Sequence, residues 1–538
     1  MQTIFIQTSP ALWPIVEAEL DIAQKELDAG NRVIFSYCDG NEVSCEANNP
    51  LPNQKIKKRY CLECQSRRMN SFKWLQPKAG ELIYCPYSMV EKSDLLEIKI
   101  LIDKFHENRN SAEAMMSTSG IIGGEIYEAA LSTLMTSLRE SNPDIFRHWK
   151  KFSLYLESGL RALYSAKIQM KKWNPDLVYI YNGRMTWYRP LLWLSKKEEI
   201  QFIVYEYPVF GHERYLTYLN THAHDVASQA EVLRVLTENP NLEISEILKV
   251  GGAWFENRIN RKSMGFEPIY AGAQQRDRLP DGWDPKRFNI SFFVSSQDEM
   301  NMLEQGSNSL ALGQIGVIEG IGDEFPDIFI YVRIHPNLKG VDSAFVQELI
   351  NLERHRSNIK VIKAESAVDT YGLVKNSNLV VSCGSTVGVE AAYLGIHSLV
   401  IGASFYGELK CAAQANSQSE LHDLISALIK GEFNRFPSRE HAFLGACKYG
   451  WAVVNQGVKP EYFRKNTYLN GSMIRGELET RITAKPVIII INRILDLPYS
   501  LYLAYRKFRK NPLNLQAFFQ SPVTSIKKIF FSDYPKRY

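Results

Sequence analysis

The chain has 538 residues, of which 45% are hydrophobic, 12% aromatic and 23% charged. Single cores stop growing near about 250–300 residues, so two domains and an appendage are expected, and this apolar content excludes a disordered chain. The formal net charge is +4, yet the segment 471–538 carries twelve Lys or Arg against four Asp or Glu, which leaves a body of net charge −4 and argues against a nucleic-acid-binding core.

A basic end on a mildly acidic body points to a separate interaction there, either with an anionic membrane face or simply with solvent. The opening MQTIFIQTSPALWPIV has no basic n-region and no long apolar h-region, so a cytoplasmic protein is expected. Eight cysteines are too sparse for a disulfide scaffold, and free or metal-bound thiols are expected.

In chain order, a strand at 3–7, an amphipathic helix at 11–29 stopped by Gly30, and a strand at 32–37 predict a β-α-β opening. A polar stretch at 39–57 follows, then a long helical region at 93–170 whose apolar residues recur every three or four positions. It reads as an insertion in the first domain. Cys38, Cys45, Cys61 and Cys64 are spaced C-x6-C-x15-C-x2-C, which suits either a structural zinc site tying down this loop or free buried thiols. Apolar runs at 177–181 and 202–205, separated by a helical segment, predict parallel strands, and a helical stretch at 225–264 closes this half.

The segment 265–288 has turn residues and no period, and is expected to be the interdomain linker. Strands at 290–294, 328–334, 359–362, 379–382 and 398–401 then alternate with helices at 309–320, 343–352, 370–375 and 387–394. That alternation predicts a doubly wound α/β domain. The expected organisation is 1–275, a Rossmann-like domain with a helical insertion; 276–460, a second Rossmann-like domain; and 461–538, a basic amphipathic helical tail.

The segment LVVSCGSTVGVEAAYLGIHSLVIG, residues 379–402, runs from a buried strand through Gly384-Ser385-Thr386 into a helix and on to another buried strand. Open α/β sheets bind ligands at the carboxyl ends of their strands, where helix N-termini accept phosphate. Ser385 and Thr386 can add hydroxyl donors, and Glu390, one turn on, can accept from two ribose hydroxyls. The competing reading is a helix cap with a solvated Glu390. At Tyr331-Val332-Arg333-Ile334-His335-Pro336, Arg333 and His335 are two apart at a strand end and suit a diphosphate; alternatively Arg333 makes a surface ion pair and His335 caps the next helix.

Together these two segments, with Asp369-Thr370-Tyr371 between them, resemble the signature of GT-B-fold glycosyltransferases of capsule and related surface polysaccharide synthesis. The resemblance covers about 290–407, and the first domain only loosely. It implies that the second domain holds a nucleotide-sugar donor, with Arg333, His335, Ser385 and Thr386 at its phosphates and Glu390 at the sugar of the nucleotide. The same His-Pro turn and later Ser-rich loop also resemble polymerases that transfer glycerol phosphate from its cytidine diphosphate carrier.

Transfer to a hydroxyl acceptor calls for a general base from the first domain in an inverting enzyme, or for positioning and leaving-group stabilisation in a retaining one. Glu206 and His212 follow a buried strand and are the candidates; Asn182 and Arg184, at another strand exit, suit acceptor or phosphate binding, and each also has an ordinary structural reading. No Asp-x-Asp triplet occurs, so metal-independent transfer is expected, with no cofactor beyond a nucleotide sugar of unspecified base. The apolar stretch from Pro486 is interrupted by Asn492, Arg493 and Asp496 before it reaches the roughly 20 residues a spanning helix needs. It is expected either to lie on the membrane or to pack on the first domain.

The function expected is sugar transfer from a nucleotide carrier to a surface polysaccharide or lipid-linked acceptor at the cytoplasmic membrane face. A glycerophosphotransferase, a nucleotide-sugar epimerase and a non-catalytic polysaccharide-assembly protein are the alternatives.

Overall fold

The computed structural model describes residues 1–8, 10–45, 54–86, 89–140, 142–206, 214–262, 270–295, 313–341, 343–467 and 470–492. The chain forms two compact units, one of residues 1–95, 161–181 and 460 onward, the other of residues 96–160 and 182–459. One of these limits, between 459 and 460, lies within a residue of the expected boundary at 460, and none falls at 275. The α/β class is as expected; the helical region forms helices Lys92–Glu107, Ala112–Ser117, Ile121–Leu138 and Trp149–Trp173, but its residues 96–160 belong to the second unit and not to the first.

In the first unit β1 (Thr3–Gln7), β2 (Arg32–Tyr37), β3 (Glu81–Pro86) and β4 (Leu177–Tyr181) run parallel in the order β3-β2-β1-β4. Ile4, Phe5 and Ile6, and Val33, Ile34 and Phe35, are buried without alternation, as in a sheet covered on both faces. The helix Ile15–Asp28 buries three acids, which keep their charge partners: Glu17 pairs with Arg67, Glu19 with Arg68 and Asp21 with Lys25. Arg67 and Arg68 lie on Gln54–Phe72, a helix too polar to show an apolar stripe in the sequence.

The second unit contains β5 (Gln201–Glu206), antiparallel to β6 (Leu216–Leu219). Its main sheet comprises β7 (Asn289–Phe293), β8 (Phe329–Arg333), β9 (Ile359–Ile362), β10 (Leu379–Ser382), β11 (Ser398–Ile401) and β12 (Ala413–Ala415). All six are parallel, in the order β12-β11-β10-β7-β8-β9. The order reverses between β7 and β10, so a crevice opens where their carboxyl ends diverge.

Strand alternation assigns the two faces of this sheet. Ile290, Phe292, Ile330, Val332, Leu379 and Val381 meet helices Gly313–Glu324, Ala344–His355 and Gln418–Ile429, whereas Phe293, Tyr331 and Val380 meet Thr370–Asn376 and Thr386–Tyr393.

Two expectations give way here. The described part of the supposed linker is fastened to the sheet: Gln275 N donates to Ala367 O at 2.8 Å, Asp277 N to Asp369 Oδ2 at 2.8 Å, and Trp283 lies 4.4 Å from the Tyr331 ring. The supposed helical tail begins instead as an antiparallel meander of the first unit, β13 (Phe463–Thr467), β14 (Asn470–Arg475) and β15 (Leu478–Thr480). Its last turn is made by Gly476 at φ 59°. A helix resumes at 486–492, and the remainder of the tail lies outside the described residues. No described helix is long and apolar enough to cross a membrane.

Candidate functional site

The carboxyl ends of β7, β8 and β10 bring most of the expected residues to one edge of the main sheet. Ser295, just past β7, donates its hydroxyl to Cys383 O at 2.8 Å and so ties the β7 exit to the β10 exit. After β10, Gly384 takes φ 77°, a left-handed turn open to glycine, and the helix Thr386–Tyr393 begins. Ser385 caps it, its hydroxyl accepting from Val387 N at 3.4 Å, while its carbonyl accepts from Tyr406 at 2.7 Å. A Cβ at Gly388 would stand 2.4 Å from the Tyr406 hydroxyl, so glycine here lets the helix close onto the strands. Ser385 and Thr386 are half-buried at the positive end of that helix, an arrangement suited to an anion.

Glu390 is not solvated. It is 2% exposed, and its Oε1 accepts from Arg258 Nη2 at 2.9 Å, Arg258 Nε at 3.2 Å and Thr386 Oγ1 at 3.2 Å. Arg258 in turn lies 4.6 Å above the Trp254 ring. Burial, then the Glu390 charge, pushes the buried Tyr371 phenol far up, so it stays a neutral donor beside this pair. One turn away Asp369 accepts from Arg261 Nη2 at 2.8 Å. Arg258 and Arg261, on and just after the helix Gly252–Ile259, had no motif to mark them; their roles appear only through partners over a hundred residues away.

Arg333 is also buried, at 2% exposure, and its fork is turned toward two carbonyls, Val368 and Ser366, each at 3.4 Å, rather than into a surface ion pair. Its Nε is buried with no partner, and burial lowers its pKa to about 10 despite the charges of Asp369 and Glu365. His335 is half-buried and heads a short turn, its Nδ1 accepting from Asn337 N at 3.1 Å. That bond places the proton of the neutral ring on Nε2.

A second polar cluster gathers the other candidates. Asn182 and Gly183 both take left-handed φ, 59° and 82°, where β4 ends. The turn sends the Asn182 amide to Glu206 Oε2 at 2.8 Å and the Arg184 guanidinium to Ser132 Oγ at 3.1 Å and Thr136 Oγ1 at 2.9 Å. Two strand exits that were singled out separately thus meet through one hydrogen bond. Tyr218 of β6 also feels the Glu206 charge. His224 belongs to this cluster as well, its titration sensing Arg184 and His222. The only sequence signal for it was a His-Ala-His run before the cap Asp225. His212 lies outside the described residues.

None of Cys38, Cys45, Cys61 and Cys64 is joined in a disulfide. Cys64 Sγ accepts from Ala11 N at 3.2 Å and Cys61 Sγ from Gln65 Nε2 at 3.4 Å, while burial holds the Cys38 thiol strongly protonated. Among the described residues no group of three or more His, Cys, Asp or Glu is placed to hold a metal ion, the zinc arrangement included.

No protein-family model and no curated protein matches the sequence. Among solved structures, the Thermosulfurimonas dismutans KpsC beta Kdo 2,4 transferase aligns at 13% identity and TM-score 0.34, covering 51% of this chain and 79% of that one. A UDP-GlcNAc 2-epimerase from Neisseria meningitidis aligns at 10% identity and TM-score 0.27, covering 84% and 98%. The Streptomyces sp. SF2575 glycosyltransferase SsfS6 aligns at 10% identity and TM-score 0.23, covering 86% and 98%. Likenesses at this level assign no chemistry to this chain.

Proposed function

We propose that this protein is a glycosyltransferase that moves a sugar from a nucleotide-sugar donor to a hydroxyl of a surface polysaccharide or lipid-linked acceptor. The observation that carries this reading is the convergence of Ser385, Thr386, Glu390 and His335 at the carboxyl edge of one doubly wound sheet, around its switch point. The helix N-terminus, the Ser385 hydroxyl and His335 Nε2–H are donors for the phosphates of the nucleotide, while the Thr386 hydroxyl donates to Glu390 and holds its carboxylate. Glu390, held by Arg258, has its remaining oxygen for the nucleotide's sugar. Arg333, turned inward, positions the loop before Thr370–Asn376 and adds positive potential beneath the phosphates.

In the reaction, Glu206 takes the proton of the acceptor hydroxyl, whose oxygen bonds to the anomeric carbon. The bond from that carbon to the phosphate oxygen breaks, and the nucleotide leaves with the electron pair. His212 is a further candidate for the same proton transfer. The leaving phosphate is stabilised by N–H and O–H donors, a metal-independent device. Peripheral contact with the cytoplasmic membrane face is part of the proposal, supported by the basic 471–538 segment and by Val487, Ile490 and Ile491, which are 58%, 56% and 50% exposed at the helical spacing of one face.

A thermal-shift screen of the purified protein against CMP, CDP, UDP, GDP and ADP and their sugar conjugates tests the reading, since a ligand of the native state raises the melting temperature. A saturable shift with one base supports it. No shift with any, confirmed by calorimetry, overturns it in favour of a non-catalytic protein.

A further inference from the structure

Two arginines of one turn are treated differently by their surroundings. Arg189, 8% exposed, is neutralised by both Glu125 and Glu128 of the helix Ile121–Leu138. Arg184, five residues earlier and 5% exposed, meets among the described residues only the hydroxyls of Ser132 and Thr136 on the same helix, and its buried Nε has no partner among them. No carboxylate among the described residues pairs with it. Hydroxyls orient a guanidinium but do not cancel its charge, and a buried charge without a counter-ion is costly. The Nδ1 of His224, a ring that feels the Arg184 charge, is likewise shut off from solvent and has no partner among the described residues.

We infer that Arg184, with His224, binds an oxyanion, a carboxylate or phosphate, carried by the acceptor. This rests on the transferase reading and names the acceptor as an acidic saccharide. Burial, then the Arg184 charge and His222, keeps the His224 ring neutral, so it offers an N–H donor rather than a competing positive charge. The mount is rigid: Arg184 N donates to Asn182 Oδ1 at 3.3 Å, Thr186 N to Thr133 Oγ1 at 2.9 Å, and Thr186 Oγ1 to Tyr155 O at 2.7 Å. Because Asn182 also holds Glu206, an anion seated at Arg184 is anchored by the same turn that positions the candidate base.

The test is calorimetric titration of the full chain with glucuronate, glucose 1-phosphate and, as neutral control, glucose. The wild type is expected to bind one of the two acids and not glucose; the preferred acid identifies carboxylate or phosphate as the group recognised. Arg184→Met should weaken that binding by at least about thirtyfold, as removal of one partner of a buried charge pair does. His224→Gln should weaken it less. Without ligand, Arg184→Met should melt at or above the wild-type temperature, because an apolar side chain replaces a charge that has no counter-ion among the described residues. The inference fails if neither acid binds, if Arg184→Met binds as the wild type does, or if that variant loses stability without ligand. Nucleotide-induced melting shifts on the same proteins separate the two readings: acid binding without any nucleotide shift keeps this site and rejects the transferase, whereas a nucleotide shift without acid binding does the reverse.

Discussion

Arg258 closes on Glu390, two of its nitrogens meeting one carboxylate oxygen at 2.9 and 3.2 Å. The pair is nearly dry, with side-chain exposures of 13% and 3%, so neither member can be removed alone without stranding the other. Glu390→Ala should therefore cost about 3 kcal/mol of stability, as breaking a buried pair does. The double variant Arg258→Met/Glu390→Met should recover most of that in urea unfolding yet remain unable to bind nucleotide. If it binds normally, Glu390 is purely structural.

Glycine separates the capping role of Ser385 from the phosphate-donor role proposed for it. Ser385→Ala should lose about 1 kcal/mol through the missing cap, and Ser385→Gly only a few tenths. Nucleotide affinity, measured by calorimetry, should fall equally in both. An affinity that follows the stability of the two variants would mean that the hydroxyl serves the helix alone.

Glu206→Gln retains an oxygen for the Asn182 amide, so the fold should be unaffected. Turnover with the identified donor should fall by about 10²–10⁴, the usual contribution of a general base, with little change in donor KM. Unchanged turnover would shift the role to His212.

Glu17 contributes a pH dependence to the stability of the first unit. Burial pushes its carboxyl up to about 7 against the pull of Arg67. Below about pH 4.5 the group is protonated in folded and unfolded chains alike; between 4.5 and 7 only the folded chain holds the proton, so this contribution is lost as the pH rises. Relative to Glu17→Gln, the wild type should lose up to about 3 kcal/mol between pH 4.5 and 8. Parallel stability curves for the two proteins would refute the assignment.

The exposed face at Val487, Ile490 and Ile491 predicts membrane behaviour. The full chain should sediment with vesicles containing anionic phosphatidylglycerol and not with phosphatidylcholine alone. Aspartate at all three positions should lower partitioning about tenfold or more, since each apolar side chain withdrawn from lipid is worth of order 1 kcal/mol. Equal sedimentation of this variant would leave the basic charge as the sole attraction.

The sequence alone determined the alternation of strands and helices in the second half, because buried parallel strands read as short apolar runs between turn residues. Ile359–Ile362, Leu379–Ser382 and Ser398–Ile401 stand where those runs placed them. It also marked Ser385, Thr386 and Glu390, since a strand-turn-helix joint has a local signature. The environment of those residues was decided only by the tertiary structure. Arg258 reaches Glu390 across 132 positions, Arg333 turns inward to carbonyls, and Arg67 and the buried Arg68 become partners of the buried Glu17 and Glu19. The meander at 463–480 was hidden for a related reason: its strands are short and polar, the last turn being made at Gly476, and they leave no helical or long apolar period. Periodicity reports which face of an element is apolar. It does not report which charge, hundreds of residues away, will meet a polar group once water is gone.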